Sequence, residues 1–305
     1  MIVVVCPGQG SQTPGFLQPW LAEPHFKEHF EALSDAAGMD LVAHGTLSDA
    51  DTIRDTAVAQ PLIVAAGLMT LSAVLGGRSD RIGGVAGHSV GELTAAAAAG
   101  ILSEADAMTL VRERGVAMAE AASRDETGMS AVLGADEDEL LAKLAELGLE
   151  PANFNGGGQI VVAGAVDALA RLKENPPSGA RVIPLQVAGA FHTRYMSSAV
   201  EHLREVAASL EQHDPSLPIW TNHDGTVVTS GSKFVELLVG QVSSPVRWDR
   251  TMDALAAAGV TGVIEVAPAG ALVGLARRGL KSVPTVAIKS PDDLAAAHEL
   301  IDSER

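Results

Sequence analysis

The chain has 305 residues, 47% of them hydrophobic but only 3% aromatic, and its 38 acidic against 21 basic side chains give a net charge of −17. A field of that sign repels nucleic acid and anionic membrane surfaces, so neither is an expected partner. The single cysteine, Cys6, permits no intrachain disulfide and fits a reducing, cytoplasmic setting. A core filled by Ala, Val and Leu points to α/β layers, with helices packed closely on buried strands. The opening apolar run, residues 2–6, has no basic flank and is cut off by Pro7 and Gly8, so it predicts a strand and not a leader. No apolar run reads as reaching the ~18 residues of a membrane span.

In chain order, residues 2–6 read as a buried strand entering a Gly-rich loop, and the polar stretch after it as irregular. Helices are predicted over 24–37, opened by Pro24, and over 60–75, opened by Gln60 and Pro61. A short strand over 81–86, a tight turn over 87–91 and a helix over 92–99 follow. Ser103 caps a helix to about residue 122, with Glu104 and Asp106 in its first turn. The pattern then changes. Strand 129–133, helix 136–147, strands 151–155 and 159–163, helix 166–173 and strand 181–187 follow in turn. That order, β-α-β-β-α-β, is ferredoxin-like, and residues 125–188 read as an inserted small domain. Strand–helix alternation then resumes: helix 193–211, strand 218–222, helices 233–241 and 248–258, strand 263–266, helix 271–280 and strand 283–288. The large domain is thus 1–124 and 189–305.

Gly87-His88-Ser89-Val90-Gly91 matches G-x-S-x-G between a strand-like and a helix-forming segment. In that setting the serine hydroxyl stands free at a helix N-terminus. The Val90 N–H points to where an oxyanion would form. A chain with 31 glycines can also meet this pattern by chance, as a plain turn with a capping serine.

A serine nucleophile needs a base. Of nine histidines, His192 follows a buried-type strand and the small-residue turn Gly189-Ala190-Phe191, where α/β sheets gather their chemistry. It has no evident acidic partner, which leaves a backbone carbonyl to orient it. His25 and His29 match H-x-x-E-H, but with no third ligand they read as a solvated helix face, and no metal is expected. His44, His202, His213 and His298 have nothing evident to orient them. His88, inside the turn, would point away from the serine.

Arg114 falls between Ala107, Val111 and Met118 on the helical wheel, so its charge must be paired or used. An internal ion pair is one solution. A bidentate carboxylate ligand is the other.

PGQGSQ near the N-terminus, GHSVGE at 87–92, RERG around Arg114, NFNGGGQIVVAG at 153–164, GAFH at 189–192 and PVRW at 245–248 occur in order. Together they resemble the malonyl-CoA:acyl-carrier-protein transacylases of type II fatty-acid synthesis and the related polyketide acyltransferase domains. The resemblance spans nearly the whole chain. It implies an α/β-hydrolase-like domain with a parallel sheet and an inserted ferredoxin-like α+β subdomain. It also implies a ping-pong transfer of malonyl from coenzyme A to a carrier-protein phosphopantetheine thiol, without a further cofactor. In that resemblance Ser89 is the nucleophile, His192 the base, and Gln9 and Val90 the oxyanion donors. Gln241 would present its backbone carbonyl to His192, and Arg114 would hold the malonyl carboxylate. Gln60 and Asn155 would line the cleft, and Phe191 resembles the malonyl-type form of its motif. The implied partners are malonyl-CoA and an acyl carrier protein, with a monomer as the default state.

Other signals carry less. Gly8-x-Gly10 follows a strand, but Thr13 stands where a dinucleotide fingerprint needs glycine. Cys6 reads as a core thiol. Arg277, Arg278 and Lys281 read as a solvated helix end, or as a basic patch for an acidic carrier protein. The runner-up function is a patatin-like lipid acyl hydrolase with a Ser89/Asp224 dyad, in which Arg114 and His192 have no role. A carrier-binding module without catalysis is a third reading, which the Ser89, His192 and Arg114 set disfavours.

Overall fold

The computed structural model describes residues 1–304 apart from Ala188. Two sheets organise it. One is parallel throughout, with strand order β10-β9-β1-β2-β7. Its members are β1 (Ile2–Cys6), β2 (Ile82–Gly87), β7 (Ile219–Trp220), β9 (Gly262–Glu265) and β10 (Thr285–Ala287). Every β1 residue is buried. Ile2, Val4 and Cys6 join one apolar cluster, and Val3 and Val5 join another on the opposite face. A strand covered on both faces needs continuous hydrophobicity, which is what the run Ile-Val-Val-Val-Cys supplies.

The second sheet has order β6-β3-β5-β4-β8. Four strands come from one stretch of chain: β3 (Thr127–Leu133), β4 (Glu150–Gly156), β5 (Gln159–Ala165) and β6 (Arg181–Pro184). Their order and antiparallel pairing are ferredoxin-like. Helices Glu137–Leu147 and Val166–Glu174 bury Leu140, Leu144, Leu169 and Leu172 against it in a third apolar cluster. The fifth strand, β8 (Val246–Arg247), comes from outside the insert and pairs in parallel with β4. Two residues carry too little periodicity to be read as a strand, so the sequence did not reveal this link. The expected insert ends at residue 188, which lies outside the described residues.

The helix expected over 60–75 spans Thr56–Leu75. Its start is set by Asp55, whose carboxylate accepts the Ala57 N–H at 2.8 Å, and Pro61 sits inside it. This helix is long and apolar enough to cross a membrane, contrary to the expectation from the sequence. Yet 78% of its most apolar window is buried inside the protein, packed along helix Glu104–Ala122. A helix apolar on every side can be the central helix of a large core. Other bounds also differ. The strand expected over 181–187 is Arg181–Pro184, with one further bond from the Leu185 N–H to the Met129 carbonyl at 2.9 Å. The helix expected over 193–211 is a short 3-10 turn, Arg194–Met196, followed by helix Ser197–Ala208. Short helices at Gln18–Leu21 and Leu41–Thr46 and the terminal helix Leu294–Ser303 lie in stretches that read as irregular or carried no clear signal.

Candidate active site

A cavity of about 600 Å³ opens at the carboxyl ends of the parallel strands, between the two sheets. Gly8 and Gln9 enter it after β1, and Ser89 after β2. Met129, Ala131 and Val161 of the second sheet face them. This is where open α/β sheets bind ligands.

Ser89 occupies a strained turn between β2 and helix Gly91–Ala98, with φ +53°. Few side chains adopt that conformation, and the turn needs its glycines. A Cβ on Gly87 would lie 2.1 Å from the Gly91 carbonyl carbon, and one on Gly91 would lie 2.1 Å from the Cys6 carbonyl oxygen. The hydroxyl of Ser89 lies 2.7 Å from His192 Nε2. His192 is also in the left-handed region, φ +61°, and its backbone N–H donates to the Val242 carbonyl at 3.0 Å. Its Nδ1–H donates to the Gln241 carbonyl at 2.8 Å, which assigns the tautomer and leaves the Nε2 lone pair facing Ser89. Burial, then the Arg114 cation, push the His192 pKa down to about 3. The imidazole is therefore neutral at pH 7 and able to accept a proton.

Arg114 is 2% exposed and makes no ion pair among the described residues. Its Nη1 donates to Gln60 Oε1 at 2.6 Å, and its Nη2 donates to Gln241 Oε1 at 2.9 Å and to Ser89 Oγ at 3.4 Å. Its Nε, also buried, has no hydrogen-bond partner among the described residues. Burial pulls its pKa down to about 10, opposed by Glu92, so it stays cationic near neutrality. The internal ion pair weighed from the sequence is absent among the described residues. What remains is a buried cation held by neutral amides beside the nucleophile.

The other expected residues converge on the same place. Gln60, Val90, Asn155 and Phe191 line the cavity with Gln9. The Gln9 side chain donates to the Arg54 carbonyl at 3.0 Å. The backbone N–H groups of Gln9 and Val90 bond to no other described residue. Asn155 Oδ1 meets His88 Nε2 at 2.9 Å, turning His88 away from Ser89 as expected. Gln241 contributes its side chain as well as the predicted carbonyl.

Two site residues escaped the sequence reading. Asn222 Oδ1 accepts the Ser89 N–H at 2.7 Å, and Glu92, 1% exposed, accepts the Asn222 N–H at 2.6 Å. Glu92 was in view as the last letter of GHSVGE, and Asn222 stands just past a strand's carboxyl end. Each could have been found by asking what a buried polar group pairs with. Burial raises the Glu92 pKa to about 8 against the donors that face it.

Residues outside the cavity have ordinary partners. Asp224 is tied to Thr226 through the backbone N–H at 3.0 Å and the hydroxyl at 2.7 Å, and it makes no bond to Ser89. The proposed Ser89/Asp224 dyad is therefore corrected: His192 takes that position. His29 pairs with Glu104 at 2.8 Å, and no group of residues able to hold a metal occurs among the described residues. His202, which lacked an evident partner in the sequence, meets Glu113 at 2.8 Å.

The acyl transferase domain model matches residues 3–297. The chain belongs to the acyl transferase family. The most similar curated relatives include the malonyl CoA-acyl carrier protein transacylase of Mycobacterium tuberculosis, 48% identical over 96% of this chain and 98% of its own. The Escherichia coli K12 protein of the same name is 35% identical over 97% of this acyltransferase and 98% of its own length. The crystal structure of the Mycobacterium tuberculosis protein superposes with a TM-score of 0.92 at 47% identity, covering 98% of this chain and 99% of that one. A malonyl-transacylase solved in complex with a type II polyketide-synthase acyl-carrier protein gives a TM-score of 0.93 at 30% identity, covering 98% and 99%. With these relatives the acyltransferase shares the mixed α/β fold of a parallel sheet and a second sheet.

Proposed function

We propose that this acyltransferase is a malonyl-CoA:acyl-carrier-protein transacylase, in which Ser89 carries the malonyl group between two thiols. The observation that carries the substrate choice is Arg114, a buried guanidinium without an acidic partner, 3.4 Å from the Ser89 hydroxyl. A carboxylate two bonds beyond the reacting carbonyl would satisfy it, as the free end of a malonyl thioester does.

In the first half, His192 Nε2 takes the Ser89 proton while Oγ attacks the thioester carbonyl. The N–H groups of Gln9 and Val90 hold the oxyanion, at about 3–4 kcal/mol per donor. Collapse expels coenzyme A as the thiol, with the proton returned from His192, and leaves malonyl-Ser89. In the second half, the phosphopantetheine thiol of the carrier protein gives its proton to His192 and attacks the ester carbonyl; collapse forms the malonyl thioester of the carrier and expels Ser89 Oγ, which takes the proton back from His192. No electron changes hands, so the steps call on no cofactor beyond the two thiols. Gln60, Asn155 and Phe191 shape the cleft around the acyl chain.

The carrier partner is supported by the relatives' names and by the transacylase–carrier complex among the structural neighbours. Fatty-acid and polyketide carriers share the phosphopantetheine thiol, and the proposed chemistry serves either. Division into a large domain, 1–124 with 189–305, and a small domain over 125–188 is supported by the third apolar cluster, whose residues all come from the insert. A cytoplasmic monomer without membrane or nucleic-acid partners is part of the same proposal, supported by the net charge of −17.

The test is intact mass after brief mixing with malonyl-CoA. A malonyl adduct on the wild type, absent from Ser89→Ala and weak on Arg114→Ala, is the expected result. An adduct that persists without Ser89 would overturn the assignment.

A further inference from the structure

Glu92 is a buried carboxyl that takes no direct part in the transfer, yet it is bonded to Asn222, Gln241 and the Ser89 backbone. It lies three residues beyond the nucleophile, in the first turn of helix Gly91–Ala98, and its backbone N–H donates to the Ser89 carbonyl at 3.0 Å. One oxygen accepts the Asn222 N–H at 2.6 Å, and the other accepts Gln241 Nε2. Asn222 Oδ1 in turn accepts the Ser89 N–H, and Asn222 Nδ2 donates to the Gly87 carbonyl at 2.6 Å. Gln241 Nε2 also reaches the Ser89 carbonyl at 3.2 Å and Asn222 Oδ1 at 3.1 Å.

We propose that Glu92 is a positioning residue that fixes which way the Gln241 amide faces, and through it sets both the base and the carboxylate clamp. An amide has one donating and one accepting end, and only its surroundings decide their order. Glu92, the Ser89 carbonyl and Asn222 Oδ1 are all acceptors, so the NH₂ of Gln241 must turn toward them. Its Oε1 is then left facing Arg114 Nη2 at 2.9 Å. With the side chain locked at that end, the carbonyl of the same residue stays 2.8 Å from His192 Nδ1. Above pH 8, where Glu92 is ionised and accepts at both oxygens, a glutamine at position 92 has the same shape but offers one oxygen to two donors. Either Asn222 N–H or Gln241 NH₂ then faces another NH₂ group, and a buried unpaired donor costs about 1–3 kcal/mol.

The inference rests on Ser89 and His192 acting as nucleophile and base, and its test is separate from the malonyl reading. A neutral fluorophosphonate reports Ser89 reactivity without using Arg114: Oγ displaces fluoride as its proton passes to His192. Measured at about pH 9, where wild-type Glu92 is a carboxylate, Glu92→Gln is expected to fold, to label about tenfold more slowly, and to lose the downfield Nδ1–H resonance of His192. The exchanged pair E92Q/Q241E restores a donor at 92 facing a carboxylate at 241, so its labelling should be faster than the two single losses predict. Gln241→Glu alone keeps the backbone carbonyl and should also label slowly, which gives a second reading if Glu92→Gln folds poorly. Wild-type labelling rates in the single variants, or strictly additive losses in the pair, would overturn the proposal. Wild-type protein that labels at Ser89 but takes no malonyl would instead count against the substrate reading alone.

Discussion

The Arg114 guanidinium and the Ser89 hydroxyl stand 3.4 Å apart, with Arg114 Nη2 shared between Ser89 Oγ and Gln241 Oε1. Charge recognition and nucleophile thus meet at one buried nitrogen. A substrate carboxylate approaching Arg114 is delivered within bonding reach of the serine.

Arg114→Ala should therefore lower kcat/KM for malonyl-CoA loading by about 10- to 150-fold, the equivalent of about 1.5–3 kcal/mol for a charge-assisted hydrogen bond. Acetyl-CoA, which has no free carboxylate, should lose little. Side-by-side loading assays with both thioesters check this. Equal losses for the two would mean that Arg114 supports the fold and not the substrate.

The acid limb of kcat/KM should lie well below the ordinary histidine value, because the His192 pKa is pushed down to about 3. Removing the Arg114 cation should move that limb to higher pH. Stability follows the same sign. Between about 3 and 6.5 the unfolded chain binds a proton at this site that the folded chain does not, so His192 costs stability as pH falls through 6.5. Glu92 acts oppositely: with a folded pKa of about 8 against 4.5, its contribution is full below 4.5 and lost as pH rises through 8. Pre-steady-state loading and denaturant titrations across pH read the two effects separately.

Gly91→Ala should unfold or severely destabilise the protein, by about 3 kcal/mol or more. Its Cβ would fall 2.1 Å from the Cys6 carbonyl, where two backbones meet and neither can yield. Thermal melts of the purified variant check it. A melting temperature near that of the wild type would mean that the turn is looser than its geometry.

Reversing charge at Arg277 and Lys281 should raise KM for the carrier protein and leave malonyl-CoA loading unchanged. Both are exposed near Arg278, which lines the cavity mouth and donates to Gln159 Oε1 at 3.3 Å. An acidic partner approaching a chain of net −17 needs such a local patch. Carrier titrations at fixed malonyl-CoA give the answer, and the effect should shrink with added salt.

The sequence by itself determined the elements whose signals are local. The strand of Ile2–Cys6, the Ser103-capped helix Glu104–Ala122 and the glycine-flanked turn at Ser89 follow from burial on two faces, a side-chain cap and a steric demand for glycine. The ferredoxin-like order was legible for the same reason, since six successive elements each carried their own periodicity. Ordered motifs then brought Ser89, His192 and Arg114 together by resemblance. Tertiary structure alone decided what depends on partners distant along the chain. Strand β8 exists because β4 is there to receive it. The apolar helix Thr56–Leu75 is a core element because other parts of the chain cover it. Glu92 and Asn222, 130 residues apart, meet under the nucleophile. A hydrogen bond between two such residues leaves no periodic trace in either segment, so only the folded chain reveals it.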